Sequence, residues 1–157
     1  MANTYQSRID AFQHKMLEQI PLTRYMGLER VDYDGRDLAF ELTLAENHND
    51  KGTAFAGSLS AAANLCGWGA VTLLLEDEAK AYDVVIRDSR LEYRLPVTQD
   101  FRVQARLPEA VLVDAFIQRL RDRGKARIDL SVEVVEQGKV CFSFSGSYVA
   151  LEKKQWV

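Results

Sequence analysis

The sequence predicts an α+β fold in which a curved antiparallel β-sheet wraps around a long central α-helix. Three observations predict it. Residues 55–76 carry small side chains in their first half and Leu and Val in their second, with no polar face. A helix apolar on nearly every side must be enclosed or lie in lipid. The segments on both sides of it alternate apolar and polar residues with a period of two, the pattern of half-buried strands. The strands beyond it are joined by short turns, which pair neighbouring strands antiparallel.

The elements follow in order. Residues 1–20 hold an amphipathic helix, because Ile9, Phe12, Met16, Leu17 and Ile20 recur at three- and four-residue steps. Pro21 ends it, and Leu22 to Gly27 forms a short helical turn with a Gly cap. Leu28–Tyr33 and Asp37–Ala45 form a hairpin across Asp34-Gly35, a strong turn signal. The loop from Asn47 to Thr53 leads into the central helix, with Thr53 as its expected side-chain cap. Tyr82–Leu95 is a long strand stopped by Pro96, and Phe101–Leu107 is another. Ala110–Asp122 is ambiguous: Val111, Val113, Ala115 and Ile117 fit a strand, whereas Leu112, Phe116 and Leu120 fit a helix. Lys125–Val135 and Lys139–Leu151 are strands turning at Gln137-Gly138. The tail with Trp156 is expected to be loose unless a second subunit covers it.

Bulk properties narrow the function. A chain of 157 residues fits one domain, residues 1–157, with a real core. The net charge of −3 gives no reason to expect nucleic acid or an anionic membrane as partner. The central segment is long enough for a membrane span, but Ser58, Ser60, Asn64, Thr72 and three glycines argue against one. Cys66 and Cys141 fit reduced thiols, and the start lacks a basic-then-apolar leader pattern, so a cytoplasmic protein is expected. No Cys/His group has zinc-site spacing, so no metal is expected. One sheet around one helix leaves an edge or a helix face needing cover, which favours a homodimer or a dimer of dimers.

The loop and helix resemble a thioesterase pattern of the hotdog-fold superfamily, Asn-x-x-Gly-x-x-His-Gly-Gly followed by an acidic residue seven positions past the second Gly. Asn49 and Gly52 occupy the first two positions, Phe55-Ala56-Gly57 replaces His-Gly-Gly, and Asn64 stands at the acidic position. Leu91-Glu92-Tyr93-Arg94-Leu95-Pro96-Val97 with Asp100, and Gly124-Lys125, resemble later segments of these proteins. The likeness extends to the thioesterase branch typified by the YiiD C-terminal domain. It is carried by Ile20-Pro21-Leu22, Asn47-x-Asn49, Gly52-Thr53-x-Phe55-x-Gly57-Ser58, Gly67-Trp68-Gly69 and Gly146-x-Tyr148-Val149-Ala150. It covers roughly residues 20–151.

The resemblance implies hydrolysis of an acyl-CoA or acyl-carrier-protein thioester, with coenzyme A present only as part of the substrate and no separate cofactor. Such chemistry needs a polarised carbonyl and a positioned water. By resemblance, the Gly57 amide is the oxyanion donor, assisted by Ser58, at a helix end whose free N–H groups suit an anion. The competing roles are close helix–sheet packing for Gly57 and a local turn for Ser58. Asn49 would hold the water or the thioester oxygen; its competing role is an Asx turn. Asn64 cannot act as a base at neutral pH and could only orient water; otherwise it is a buried amide bonded across an interface. Phe55 is assigned to substrate contact. His48, Asp50 and Asp88 are candidate replacement bases, and Asp88 and Ser89 are also assigned to substrate contact. Phe55 cannot replace the histidine that hotdog dehydratases need. In the basic run from Arg119 to Arg127, Arg123 and Lys125 are candidates for the phosphate-rich end of coenzyme A; a solvated strand edge is the plainer account. Trp68 is expected to pack in the core or an interface. The rival functions are a non-hydrolytic acyl-CoA binding protein and a structural subunit with a degenerate site.

Overall fold

The computed structural model describes residues 4–154. Of the expected loose tail from Glu152 to Val157, residues 155–157 with Trp156 lie outside them, whereas Glu152 is not loose but ends a strand opposite Tyr82. The elements are α1 (Gln6–Gln19), a 3₁₀ turn (Pro21–Tyr25), β1 (Leu28–Tyr33), β2 (Leu38–Leu42) and α2 (Ala56–Leu74). They continue with β3 (Tyr82–Tyr93), β4 (Phe101–Arg106), α3 (Ala110–Arg123), β5 (Lys125–Glu136) and β6 (Lys139–Glu152). The strands form one antiparallel sheet in the order β1-β2-β4-β5-β6-β3. The curved sheet packs against α2, which touches β2, β4, β5, β6 and β3.

Turn chemistry sets the register. In the first hairpin the Asp34 carboxylate accepts the Arg36 and Asp37 amides at 2.9 and 2.7 Å, and Gly35 has φ +96°. In the β5–β6 hairpin Gln137 and Gly138 both have positive φ, as a tight primed turn requires. With registers fixed, alternation decides the faces. Phe142, Phe144, Gly146, Tyr148 and Ala150 pair with Val134, Val132, Leu130, Ile128 and Ala126, and this set faces α2. Lys125, Arg127 and Asp129 point to the opposite face.

The ambiguous segment is helical. Val113, Phe116 and Leu120 are its buried positions, three and four residues apart, while Val111 and Leu112 lie exposed. Burial on one stripe, together with a left-handed Gly124 cap, decides for the helix. Several boundaries differ from expectation: β2 is Leu38–Leu42 rather than Asp37–Ala45, β3 ends at Tyr93 rather than Leu95, and the central helix ends at Leu74 rather than at residue 76. The central helix starts at Ala56 rather than Phe55, and Thr53 does not cap it. Phe55 is the N-cap residue, and its ring offers no acceptor to the helix amides; the Thr53 hydroxyl accepts from Asn49 instead.

The central helix is not enclosed on every side. Leu59, Ala62, Ala63, Cys66, Ala70 and Leu73 are buried, but Ala61, Asn64, Leu65, Trp68 and Thr72 form a half-exposed stripe. Beside it runs β3, an edge strand of 12 residues that carries exposed Val85, Ile86 and Tyr93. No helix among the described residues is long and apolar enough to cross a membrane.

Candidate functional site

The loop before α2 is built from side-chain amides. Buried Asn47 donates to the carbonyls of Met26 and Thr43 at 2.8 and 2.7 Å, and its own carbonyl accepts the Phe55 amide at 2.7 Å. Asn49 closes the loop. Its Oδ1 accepts the Lys51 and Thr53 amides at 2.8 and 3.2 Å, and its Nδ2 donates to Thr53 Oγ1 at 3.0 Å. The second Nδ2 hydrogen of Asn49 has no hydrogen-bond partner among the described residues.

This loop delivers the start of α2 to the surface. The helix begins in earnest with Leu59 donating to the Phe55 carbonyl at 3.1 Å. The amides of Ala56, Gly57 and Ser58 precede that bond and have no side-chain cap among the described residues. Ala56 and Gly57 are exposed. The phenyl ring of Phe55 lies over Gly57: a Cβ at Gly57 would stand 2.9 Å from Phe55 Cζ. Tyr93, at the end of β3, donates its hydroxyl to the Ala56 carbonyl at 3.3 Å. Uncapped N–H groups at the positive end of a 19-residue helix can stabilise an oxyanion.

Farther along the same helix an apolar cavity of about 450 Å³ opens against the half-exposed stripe. Its walls come from Met26 and the 3₁₀ turn, from Asn64, Leu65 and Trp68 on α2, and from Val84 to Ile86 and Tyr148 on the sheet. Gly67 allows the fully buried Tyr148 ring to lie against the helix, and the Tyr148 hydroxyl donates to the Asn64 carbonyl at 2.9 Å. Burial keeps the Tyr148 phenol protonated far above its usual range. Asn64 donates to the Ser60 carbonyl one turn back at 2.8 Å, and its side-chain oxygen accepts no hydrogen bond among the described residues. No carboxylate or histidine lines the cavity.

Gly57 and Asn64 share a helix face but do not meet at one atom. Seven residues of helix place them about 10 Å apart along the axis, beyond hydrogen-bond reach of a single reacting centre. None of the three candidate bases lines the cavity. His48 is exposed, with Nδ1 2.9 Å from the Asn49 carbonyl, and Asp50 pairs with Lys51 at 2.7 Å. Asp88 pairs with Arg87 at 3.6 Å on the exposed edge strand.

The comparisons with known proteins come to the same fold. The family described as "Putative thioesterase (yiiD_Cterm)" matches residues 9–152. The chain belongs to this thioesterase family. A protein of unknown function from Chlorobaculum tepidum is 29% identical, covering 97% of this chain and 99% of its own, with a TM-score of 0.87. A thioesterase-family protein from Shewanella oneidensis is also 29% identical, with 93% and 99% coverage and a TM-score of 0.81. A protein from Pseudomonas aeruginosa described as a probable thioesterase is 26% identical, with 92% and 95% coverage and a TM-score of 0.76. The fold is the hotdog fold that these proteins share.

Within this thioesterase family chain, the remaining site residues fall in three places. Phe55, Gly57 and Ser58 stand at the helix start. Asp88 and Ser89 lie with Arg90, Arg127 and Asp129 in a polar pocket across β3, β5 and β6, separate from the apolar cavity. Arg123 and Lys125 line a separate basic pocket. Sequence reasoning did not single out Tyr93 as a site residue, nor Met26 and Thr23. The signals available were the terminal position of Tyr93 on an alternating strand and the placement of Thr23 and Met26 around a short turn that precedes Gly27. Among the described residues, no cluster of His, Cys, Asp or Glu could hold a metal ion.

Proposed function

We propose that the protein hydrolyses an acyl thioester carried on coenzyme A or an acyl-carrier protein. The observation that carries this reading is the uncapped start of α2, exposed beside an apolar cavity on the same helix. The cavity suits an acyl chain, since its lining is hydrophobic with a few polar groups. Water adds to the thioester carbonyl, and the Gly57 amide holds the resulting oxyanion. The carbon–sulfur bond then breaks, and the thiolate leaves with the proton released by water. The single remaining N–H of Asn49 and the free oxygen of Asn64 are the polar groups that would orient that water.

Their separation supports a site shared by two copies. The Gly57 end of one chain would face the Asn64 stripe of another, with the exposed β3 edge and the half-exposed face of α2 covered in a dimer. Light scattering on the purified protein should give a dimer or tetramer; a well-folded monomer would defeat the shared site. A reducing cytoplasm, where coenzyme thioesters occur, also suits the two free buried thiols.

The deciding experiment is a screen of acyl-CoA chain lengths with a thiol-reactive dye, on the native protein and on Asn64→Asp. Released thiol supports the hydrolase, and Asn64→Asp should raise the rate by about tenfold or more by restoring a general base. The absence of any carboxylate or histidine in the cavity favours one second reading, a protein that binds acyl thioesters without cleaving them. In that case mass spectrometry would recover intact thioester after incubation, and the ligand would raise the melting temperature.

A further inference from the structure

Glycine weakens a helix interior, yet two glycines flank Trp68 in the middle of α2. Each admits an aromatic ring. A Cβ at Gly67 would stand 2.6 Å from Tyr148 Cζ, and one at Gly69 would stand 2.7 Å from Phe12 Cζ. Phe12 is buried, stacks on Phe40 with ring centroids 6.5 Å apart, and meets the Trp68 indole at 5.9 Å. The half-exposed indole is thus backed by a ring with no room to retreat.

The stripe of α2 that carries Trp68 looks into two cavities. Positions 61, 65 and 68 line the apolar cavity already described. Positions 72 and 75 continue the same three- and four-residue steps, hence the same helix face, and line a second cavity of about 400 Å³ at the end of the helix. Val84 on β3 is a wall of both. Trp68 belongs to the first cavity and Phe12 to the second, so their ring contact is the partition between them. The walls also change character there, since Lys15, Lys80 and Lys153 enter beyond the partition.

We propose that Trp68, propped by Phe12, is a specificity-determining residue: it closes the far end of the apolar cavity and confines the bound acyl group to a short or medium straight chain. That the chain belongs to a thioester rests on the hydrolase reading; the partition itself does not. Helix geometry sets the length. Ala61 to Trp68 is seven residues, about 10 Å along the axis. Carbon–carbon bonds of about 1.5 Å advance an extended chain by about 1.3 Å per carbon, so about eight carbons reach the indole. Trp68 to Leu75 offers about 10 Å more once the indole is removed.

Neutral n-alkanols test the partition without any thioester chemistry. They carry no charge for the lysines, and their hydroxyl can donate to the Asn64 side-chain oxygen. Titrated calorimetrically into the full protein, they should bind about fourfold more tightly per added methylene, with the gain ending at about eight to ten carbons. Trp68→Ala should carry the gain on for about four further carbons or more. Adding Thr72→Phe, which fills the second cavity one turn on, should return the limit to its native value. Trp68→Leu, a milder truncation, should extend the limit less and serves should the alanine variant not fold. No alkanol binding to the native protein, a limit unmoved by either truncation, or an extension that Thr72→Phe leaves in place would overturn the partition. So would a change of oligomeric state in light scattering with the limit unmoved, which would make Trp68 a subunit contact instead. The kcat/KM profile across acyl-CoA lengths should share the alkanol limit and its shift; a profile indifferent to Trp68 would overturn its role in substrate choice. A limit that moves while no acyl-CoA is cleaved would uphold the partition and defeat the hydrolase reading alone.

Discussion

Substituting Gly67 by alanine tests the packing that shapes the cavity. A Cβ at this position would stand 2.6 Å from Tyr148 Cζ and 2.8 Å from its Cε2. Tyr148 is fully buried, so its ring cannot swing into solvent. Overpacking a dense core costs about 1–3 kcal/mol. Displacing the ring also strains the hydroxyl bond to the Asn64 carbonyl, worth about 0.5–1.5 kcal/mol. The better helix propensity of alanine returns about 1 kcal/mol. The balance is a loss of about 0.5–3.5 kcal/mol, or about 1–14 °C in Tm for a chain of this size. Thermal and urea unfolding followed by circular dichroism would measure it. The loss should shrink when Tyr148 is also changed to Leu, since the ring atoms that the added methyl meets are then gone. A Gly67→Ala protein as stable as the native one, or a loss that persists undiminished with Tyr148→Leu, would refute the reasoning.

Three further outcomes are expected. Gly57→Pro removes the proposed oxyanion donor within the first helical turn, where proline is tolerated; kcat for a thioester should drop about 10²–10³-fold with the fold retained by circular dichroism, whereas Ala56→Pro should cost less than about tenfold. Arg121 holds the Glu78 carboxyl below its ordinary value of 4.5 chiefly by hydrogen bonding. A depressed folded-state value means that the pair's stabilisation is complete above the ordinary value and fades as pH falls through the folded one, so the Tm gap between native protein and Glu78→Gln should close on acidification. A gap independent of pH would show that the pair does not contribute through ionisation. Burial pushes the Cys66 thiol up to about 12, so iodoacetamide at pH 8 should leave Cys66 unmodified in the native protein and modify it in urea, as peptide mass spectrometry would read.

Much of the fold is legible in one dimension because its signals are local. Alternation in β4, β5 and β6 reports a sheet with one buried face, and Asp34-Gly35 and Gln137-Gly138 mark turns whose backbone angles few other residues accept. The segment 110–122 is not legible in this way: its apolar residues satisfy both periods, and only packing of Val113, Phe116 and Leu120 onto the core chooses between them. Thr53 suits a helix cap by type and position, but the Asn49 side chain holds its hydroxyl instead.

The candidate site divides in the same way. Sequence alone determined the small-residue helix, the Asn-rich loop before it and the cationic run, since each is written in consecutive residues. Only the tertiary structure decided that Met26, Tyr148 and the β3 valines meet beside Asn64 to form a cavity. It also decided that Arg87 joins Arg119, Arg123, Lys125 and Arg127, while Asp88 and Ser89 fall elsewhere. Such groupings depend on which strands lie side by side. The order β1-β2-β4-β5-β6-β3 brings β3 next to β6, although β4, α3 and β5 all lie between them in the chain, and over such a separation no local spacing carries information.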